Sequence, residues 1–405
     1  MSRIDVTGKV AIVGAVRTPI GAVNGGLASV LADPLATRAV QALIEQSGID
    51  PQLVEYTCFG WVMQDPRSTN LARNVALHAG IPWSSPATTL HENCASGAAA
   101  VHSIVRRIVL GEIEVGVAGG VESMSNVPRY LYAGRTRNQL YGDMTLVDGL
   151  MGALVDPEVG DKGEVMGLMT ERLVERWGVS RELQDEIAYR SHANAVKAWE
   201  EGYFADYVVP VEVPRRKKAP VVVSRDEGPK KLDMEYFTKA RPYFKPDGGT
   251  ITAQNSSSIN DAAAALLLMT QEKAKSLGLV PLATIHAFHN VGVERAYMGE
   301  GVFKVIPPLL QKAGLSLSEI DYFELNEAFA AVVGGAYKFL PDLDKERVNQ
   351  WGSGISLGHP VGCTGARQIV DMVHQLRRRG ARIGLTSRCV GGGIGSGEVL
   401  VTWEG

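Results

Sequence analysis

The chain of 405 residues predicts an α/β fold, in which helices form layers against a largely parallel β-sheet and the protein is built from two duplicated halves. Three observations support this prediction. Strand-like and helix-like segments alternate along the chain, which is typical of layered α/β architecture. The chain is long enough for two or three domains or for one duplicated domain. Two pairs of segments resemble each other at nearly the same spacing, as expected for a repeat.

Local patterns predict the main elements. Residues 10–16 form an apolar run that predicts a buried strand, and a helical pattern with an acidic start begins at Asp33. Helical spacing also predicts helices over residues 170–177 and 181–199. The Ala/Leu-rich run at residues 262–269 is predicted as a buried core helix, because it falls far short of the ~20 residues of a membrane span.

The internal repeat divides the chain. Residues 42–60 resemble residues 308–326, an offset of 308 − 42 = 266, and residues 94–112 resemble residues 362–380, an offset of 362 − 94 = 268. Two near-equal offsets in the same order indicate duplicated halves.

The repeat also predicts the domain boundaries. Residues 1–125 together with 250–279 form the first half, and residues 280–405 form the second. Residues 126–249 are more polar, carry short helical patterns and end near the turn-rich KPDGG segment. They are predicted to be an inserted domain of small size.

The composition is that of a globular protein, with 45% hydrophobic and 21% charged residues and a formal net charge of −3. A general nucleic-acid binder is excluded, because such proteins need a basic stripe. The four cysteines form no C-x-x-C pair and have no metal-ligand spacing, so neither a disulfide scaffold nor a metal site is predicted. Since no signal pattern, membrane-length apolar run or C-terminal address is found, the expected location is cytoplasmic.

Cys94 is the first candidate for chemistry. It stands in HENCASGAAAVHS, where small residues allow close backbone packing and a helical pattern follows. At a helix N-terminus the dipole and the free N–H groups favour a thiolate, which is the form that attacks a thioester. A buried, unreactive core cysteine explains the local pattern equally well.

The equivalent place in the second half contains His359. It precedes the same kind of small-residue helix start, in SLGHPVGCTGARQIV. If the halves pack about a pseudo-twofold axis, the two helix starts converge and His359 lies beside Cys94, the minimal pair for an activated nucleophile. The alternative is a histidine with a purely structural role in the core.

Two further segments carry candidate groups. Cys389 ends a predicted strand and is followed by a glycine run that includes Gly391, whose exposed N–H groups can hold a thioester oxygen as negative charge builds. A dinucleotide loop is disfavoured, because G-x-G-x-x-G is not met and a strand follows. Asn326, in N-E-A-F-A, can position a water or a carbonyl, although a simple helix start has the same pattern.

Five co-linear blocks together resemble the thiolase family. Their order and spacing match over essentially the whole chain. The blocks are C-A-S-G at 94–97, G-G-V-E-S-M-S at 119–125, N-E-A-F at 326–329, G-H-P at 358–360 and C-V-G-G-G at 389–393. The resemblance implies the thiolase fold: two βαβαβαββ halves forming a layered α-β-α-β-α core, an inserted loop domain, and a homodimer or homotetramer.

The resemblance also implies a ping-pong acyl transfer between a 3-ketoacyl-CoA and coenzyme A. His359 would activate Cys94 for attack on the 3-keto carbon, and Cys389 would protonate the departing enolate of acetyl-CoA and later deprotonate free CoA. One oxyanion hole would use Nε2 of His359 and a water held by Asn326, and the other the backbone N–H groups of Cys94 and Gly391. Coenzyme A is a co-substrate, and no permanently bound cofactor or metal is implied, since the thioester itself stabilises the carbanion.

Three residues match positions at which the family contacts the CoA substrate. Ser257, within N-S-S-S-I-N-D at 255–261, matches the serine that contacts pantetheine. Met166 falls at a substrate-contact position, and Lys230 stands where relatives place a basic residue near the nucleotide. The expected partners are therefore acyl-CoA and CoA.

The chain departs from the family pattern at several positions. The segment His91-Glu92-Asn93 replaces the usual Asn before the nucleophile, Ser258 replaces a Gly, Trp351 an Asn, Arg388 an apolar residue and Ile394 a Gln. Because it adjoins Cys389, Arg388 is predicted to tune that thiol.

Two other functions stay open. A condensing enzyme such as a ketosynthase pairs its cysteine with two histidines, whereas here Cys389 occupies the second place. A non-catalytic, thiolase-like subunit would scaffold a beta-oxidation multienzyme complex. Trp351 and residues 65–73 resemble the thiolase subunits of such complexes, but Asn326 follows the commoner thiolases, and both Cys94 and His359 are present.

Overall fold

The computed structural model describes residues 8–132 and 143–403, and its largest element is a ten-stranded mixed sheet. The strands are β1 (Val10–Arg17), β2 (Gly21–Ala22), β3 (Tyr56–Gly60), β4 (Ala87–Leu90), β5 (Val115–Ser123), β6 (Arg129–Tyr130), β7 (Val147–Asp148), β8 (Val155–Asp156), β9 (Glu164–Val165), β10 (Val211–Arg215), β11 (Lys218–Val223), β12 (Asn260–Thr270), β13 (Ala283–Gly292), β14 (Tyr322–Leu325), β15 (Ile383–Val390) and β16 (Ile394–Thr402). The α-helices are α1 (Ala32–Ser47), α2 (Leu71–His78), α3 (Ser96–Val109), α4 (Gly149–Ala153), α5 (Met166–Trp177), α6 (Arg181–Glu200), α7 (Met234–Thr238), α8 (Gln271–Ser276), α9 (Gly301–Lys304), α10 (Ile306–Ala313), α11 (Ala330–Phe339) and α12 (Val361–Arg379).

The strands of the large sheet follow the order β14–β15–β16–β13–β1–β12–β5–β3–β4, and β2 pairs with β12. The pairs β14–β15, β3–β4 and β3–β5 are parallel, and the other pairs of this sheet are antiparallel. The prediction of a largely parallel sheet is therefore wrong. Parallel neighbours need a long crossover, whereas β15 reaches β16 through a turn of three residues, 391–393.

The apolar run at residues 262–269 is a strand and not the predicted helix. It forms most of β12, which pairs with β1 on one side and with β5 on the other. Helices cover both faces of this strand, so its residues are fully buried. A strand buried on both faces reads as a continuous apolar run, which periodicity cannot separate from a buried helix.

Helices and sheet alternate in five layers, which confirms the predicted α-β-α-β-α core. Helices α1 and α2 pack on the outer face of the first half, and α5, α9, α10 and α11 pack on the outer face of the second. Between the two halves lie α3 and α12, which contact each other and strands of the sheet.

The two central helices make reciprocal contacts at equivalent glycines. A Cβ on Gly97 would lie 2.7 Å from the backbone nitrogen of Ala366, and a Cβ on Gly365 would lie 2.6 Å from that of Ala98. Only glycine allows helix backbones to approach this closely. The reciprocity is that of a pseudo-twofold axis, and it brings the N-terminal ends of α3 and α12 together, as the repeat predicts.

A buried arginine ties three parts of the chain together behind this junction. Arg17, at the end of β1, donates to Asp226 at 2.8 Å and to Asp371 of α12 at 2.9 Å. All three side chains are buried, and breaking such a pair leaves an uncompensated charge. The predicted division into residues 1–125 with 250–279, 126–249 and 280–405 stays a prediction.

Candidate active site

One cavity of about 370 Å³ collects most of the predicted site residues. It opens between the N-terminal ends of α3 and α12, the 391–393 turn and the segment that carries α4 and β8. Two predicted residues, Asn326 and Lys230, do not line it. The predicted residues that do are Cys94, His359, Cys389, Gly391, Ser257 and Met166.

Cys94 lies in a 3₁₀ turn, Asn93–Ala95, that leads directly into α3. Burial raises the pKa of the Cys94 thiol to about 11, although backbone hydrogen bonding from Gly391 and from Cys94 itself opposes the rise. The sequence-based expectation that the helix start favours a thiolate is therefore outweighed by desolvation. The resting nucleophile is a thiol, and it needs a base.

His359 is oriented as that base. Its Nδ1 atom lies 2.7 Å from Oγ1 of Thr364, and the Thr364 hydroxyl donates to the carbonyl oxygen of Pro360 at 3.0 Å. Since the single hydroxyl proton is used on Pro360, Thr364 accepts from Nδ1–H and leaves the lone pair on Nε2. Burial, assisted by the charge of Arg367, lowers the pKa of His359 to about 3, so the resting imidazole is neutral.

The backbone of His359 is held as firmly as its ring. Its N–H donates to Oδ1 of Asn260 at 2.9 Å, and Ser258 donates to the same oxygen at 2.9 Å. Gly358 precedes it with φ of +117°, and a Cβ there would lie 2.5 Å from the Asn260 amide carbon. Ser258, one of the departures from the family pattern, thus helps to fix the Asn260 amide that holds the backbone of the predicted base.

Cys389 and Cys94 both line the cavity. Cys389 is the penultimate residue of β15 and is buried. Burial raises the pKa of its thiol well above the usual range, and the negative charge of an ionised Cys94 raises that pKa further. Two thiols that disfavour simultaneous ionisation suit a relay in which one is acylated while the other carries a proton.

Asn326 lies just below the cavity, directly after β14. Its backbone N–H donates to the carbonyl of Ser387 at 2.9 Å, which fixes it beside β15. Neither Oδ1 nor Nδ2 of Asn326 has a hydrogen-bond partner among the described residues. Buried amides are normally hydrogen-bonded, and an unsatisfied one suits the holding of an ordered water. The predicted water-holding role stays a prediction.

The three predicted substrate contacts fall in different places. Ser257 and Met166 line the cavity, and the Ser257 backbone donates to the Ala328 carbonyl at 2.9 Å. Lys230 is exposed and lies away from the cavity, where its backbone N–H donates to Nδ1 of His192 at 3.4 Å. The geometry places Lys230 outside the wall of the cavity, and its role near a nucleotide stays a prediction.

Glu122 holds together three backbone segments beside the site, a role that the sequence did not predict. Its carboxylate accepts backbone hydrogen bonds from Val62, Met63 and Gly362 at 2.9–3.2 Å, so it joins the first half to the start of α12. Burial raises its pKa to about 7, against the effect of these bonds. The G-G-V-E-S-M-S block, which contains Glu122, is the sequence signal that could have identified this residue. The contacts that Glu122 makes depend on the fold.

Arg388 points away from Cys389 into a buried polar network. It donates to Glu398 at 2.7 Å, to Thr386 at 2.8 Å and to Gln368 at 2.7 Å. Burial would raise the pKa of Glu398, but the charges and hydrogen bonds of Arg388 and His102 together outweigh burial and lower that pKa to about 2. Arg388 lowers the pKa of Cys94 and not that of Cys389, so the prediction that it tunes the Cys389 thiol is wrong: its side chain faces the opposite side of β15.

Residues 8–132 and 143–403 contain no cluster of three or more His, Cys, Asp or Glu arranged to hold a metal ion. No helix among them has the length and apolarity needed to cross a membrane.

Comparison with known proteins agrees with the fold and the cavity. The family profile of the thiolase N-terminal domain matches residues 10–272, and that of the thiolase C-terminal domain matches residues 279–402. Acetyl-CoA acetyltransferase 1 of Arabidopsis thaliana is 41% identical over 392 residues, which cover 96% of this chain and 94% of that protein.

Solved structures give the same result. The acetyl-CoA acetyltransferase of Bacillus anthracis superposes with a TM-score of 0.94 at 41% identity, covering 99% of this chain and 100% of that one. Human mitochondrial 3-ketoacyl-CoA thiolase in complex with CoA superposes with a TM-score of 0.93 at 34% identity, covering 100% of both chains. The relatives match nearly the whole chain and show that it is an acyltransferase. The chain belongs to the thiolase family.

Proposed function

We propose that this enzyme cleaves a 3-ketoacyl-CoA with coenzyme A into acetyl-CoA and a shortened acyl-CoA, or runs the reverse Claisen condensation, through an acyl-Cys94 intermediate. The observation that carries the proposal is one cavity that holds two thiols, Cys94 and Cys389, and the neutral imidazole of His359. Relatives of the chain are acetyl-CoA acetyltransferases and a 3-ketoacyl-CoA thiolase that binds CoA.

In the first half-reaction, Nε2 of His359 takes the proton of Cys94 as its sulfur attacks the 3-keto carbon. The bond between C2 and C3 then breaks, and its electron pair leaves as the enolate of acetyl-CoA. Cys389 delivers the proton to C2 and becomes a thiolate. The protonated His359 donates from Nε2 to the oxygen of this enolate. A water held by the unsatisfied amide of Asn326 donates to the same oxygen.

In the second half-reaction, the Cys389 thiolate takes the proton of free CoA. The CoA sulfur attacks the acyl carbon, and the bond to Sγ of Cys94 breaks. The proton held on His359 returns to Cys94, so that both thiols and the neutral imidazole are restored. The backbone N–H groups of Cys94 and Gly391, which already interact with the Cys94 sulfur, stabilise one oxygen in both half-reactions. It is the 3-keto oxygen while Cys94 attacks, and the thioester oxygen of the acyl-enzyme while CoA attacks.

The substrate enters along Ser257 and Met166, which line the cavity and suit the pantetheine arm and the acyl group. The proposal needs no permanently bound cofactor or metal, because proton transfer and thioester exchange balance without one.

We propose that the enzyme is cytosolic and a homo-oligomer. All four cysteines are unpaired, as in a reducing compartment, and β4 is an edge strand of the sheet at which a second copy can pair. Trp351 and residues 65–73 resemble the thiolase subunits of beta-oxidation complexes. On this resemblance we propose that the enzyme associates with another subunit of such a complex.

Steady-state kinetics test the proposal. Thiolysis of acetoacetyl-CoA is followed by loss of the 3-ketoacyl absorbance at several fixed CoA concentrations. Parallel double-reciprocal lines are expected, because acetyl-CoA leaves and the acyl group stays on Cys94 before CoA binds. Intersecting lines would exclude the ping-pong order, and no turnover across a panel of 3-ketoacyl chain lengths would exclude the function.

A further inference from the structure

Asn93, immediately before the nucleophile, has a backbone conformation that side chains other than glycine rarely adopt. Its φ is +42°. Non-glycine residues pay for this left-handed region, although Asn tolerates it better than most. Strain of this kind persists where surrounding contacts hold it and tends to cluster at functional sites. The residue belongs to the segment that departs from the family pattern.

The side chain of Asn93 bridges the two walls of the cavity. Its Nδ2 donates to the carbonyl oxygen of Gly391 at 2.8 Å, and its Oδ1 lies 3.1 Å from Nε2 of His91. Because Nδ2 must face a carbonyl oxygen, the amide orientation is settled, and His91 is the donor to Oδ1. A chain of hydrogen bonds therefore runs from His91 through Asn93 to the Gly391 peptide.

The turn that receives this bond is closed by a backbone hydrogen bond from the Gly393 N–H to the Val390 carbonyl oxygen at 3.2 Å, which leaves the Gly391 carbonyl to Asn93. Gly392 and Gly393 both have φ of +89°, and glycine backbones are the least restricted. Val293 donates to the Gly393 carbonyl at 2.8 Å, at the far end of the turn. At Gly391 itself a Cβ would lie 3.2 Å from Cε of Met166, the flexible end of a side chain that also lines the cavity.

We propose that Asn93 is a positioning residue that holds the Gly391 carbonyl so that the Gly391 N–H stays aimed at the thioester oxygen on Cys94. The inference rests on the proposed thiolase reaction and adds to it the group that preorganises one oxyanion hole. The Gly391 carbonyl lies in the 391–392 peptide and the Gly391 N–H in the 390–391 peptide, so the bond from Asn93 acts on the N–H through Gly391, at the start of the three-residue turn 391–393 between β15 and β16.

The clamp and a simple turn-forming role make opposite predictions for Asn93→Gly. Glycine relieves the left-handed strain, so the thermal midpoint should stay the same or rise. It also removes the bond to Gly391, so single-turnover acylation of Cys94 by acetoacetyl-CoA should slow about tenfold to a hundredfold, the range for weakening one oxyanion-hole donor. KM should change far less than kcat.

Two further variants make the test independent of folding. Asn93→Asp cannot donate to the Gly391 carbonyl and should slow acylation at least as much as Asn93→Gly. Asn290→Ala is the matched control, because Asn290 donates to Glu92 in the same segment at 2.8 Å without touching the cavity; it should acylate at the wild-type rate.

The outcomes separate this inference from the proposed function. Wild-type protein that forms no acyl adduct refutes both. Wild-type protein that acylates normally, with Asn93→Gly or Asn93→Asp acylating equally fast, refutes the clamp alone. A slowed Asn93→Gly that is also no less stable than wild type supports the clamp, because a turn-forming residue would not produce that combination.

Discussion

The Nδ1 atom of His359 lies 2.7 Å from Oγ1 of Thr364, a hydroxyl whose own proton is used on the Pro360 carbonyl. This contact fixes the tautomer of the imidazole, so Nε2 keeps its lone pair as a proton acceptor, and His359 lines the cavity. The same contact stabilises the imidazolium that forms when Cys94 loses its proton, since Nδ1 donates in both protonation states.

Replacing Thr364 tests this contact. Thr364→Val keeps the shape of the side chain but removes the acceptor for Nδ1–H, and a hydrogen bond to a charged imidazolium contributes about 1.5–3 kcal/mol. We expect kcat for acetoacetyl-CoA thiolysis to fall about tenfold to a hundredfold. Thr364→Ser keeps the hydroxyl and should retain most of the activity. Equal rates for Val and wild type would show that the contact does not orient the base.

The raised pKa of Cys94 predicts how the free enzyme reacts with an alkylating agent. Because burial raises that pKa to about 11, the thiolate fraction should climb steadily from pH 7 to 9.5. We expect the iodoacetamide rate at Cys94, followed by peptide mass analysis, to rise about tenfold per pH unit with no plateau. A plateau near pH 7 would mean that a preformed thiolate is present at rest. Cys94→Ala gives the background from the other cysteines.

Glu122 predicts a pH dependence of stability. Its pKa is raised from 4.5 to about 7 in the folded state, so the folded protein binds more protons than the unfolded chain between these values. Its contribution is fully present below pH 4.5 and is lost as pH rises through 7. Glu122→Gln should flatten the fall in the free energy of unfolding across this window. It should also lower that free energy at pH 5 by about 1–3 kcal/mol, because an amide satisfies fewer of the three backbone donors.

Urea unfolding at pH 5, 6 and 7 checks both parts of this prediction. Glu327 also has its pKa raised to about 7 by burial, so some slope should remain in Glu122→Gln. A variant with the full wild-type slope would show that Glu122 is not the titrating group.

Arg388 predicts a stability effect that exceeds its effect on chemistry. Arg388→Leu restores the apolar residue that is usual in the family but leaves the buried Glu398 carboxylate without its cation, which costs about 3–5 kcal/mol. The double variant with Glu398→Gln should recover much of this loss, since the stranded charge is gone. Denaturant unfolding of both variants measures the coupling. A single variant as stable as wild type would show that the network does not depend on Arg388.

The sequence was sufficient where chemistry is tied to a repeated element. Offsets of 266 and 268 residues paired the helix starts of α3 and α12, and glycine contacts at Gly97 and Gly365 bring those starts together. This is why Cys94 and His359 could be predicted to meet. Predicted strands at residues 10–16 and helices at 170–177 and 181–199 also correspond to β1, α5 and α6.

The sequence was insufficient where direction or distant contacts decide. Strands β12 and β13 both pair antiparallel with β1, one on each side, and no local pattern shows this pairing. The run at residues 262–269 is a strand buried on both faces, which periodicity cannot separate from a buried helix. The orientation of Arg388 follows from which side of β15 it occupies, which adjacency to Cys389 does not reveal. The roles of Thr364, Glu122 and Asn93 arise from hydrogen bonds between residues up to 298 positions apart. No local sequence pattern predicts these hydrogen bonds.

Intact-protein and peptide mass spectrometry after mixing with acetoacetyl-CoA, without added CoA, tests the central claim most directly. We expect one acetyl group on the peptide that contains Cys94 in wild type, because attack on the 3-keto carbon of acetoacetyl-CoA breaks the C2–C3 bond and leaves acetyl on the sulfur. Cys389→Ala should form the same adduct far more slowly, because without Cys389 only solvent water can protonate C2 as that bond breaks. Cys94→Ala should carry no adduct. An acetyl group on any other residue, or none on the wild-type protein, would contradict the assignment of Cys94 as the acyl carrier.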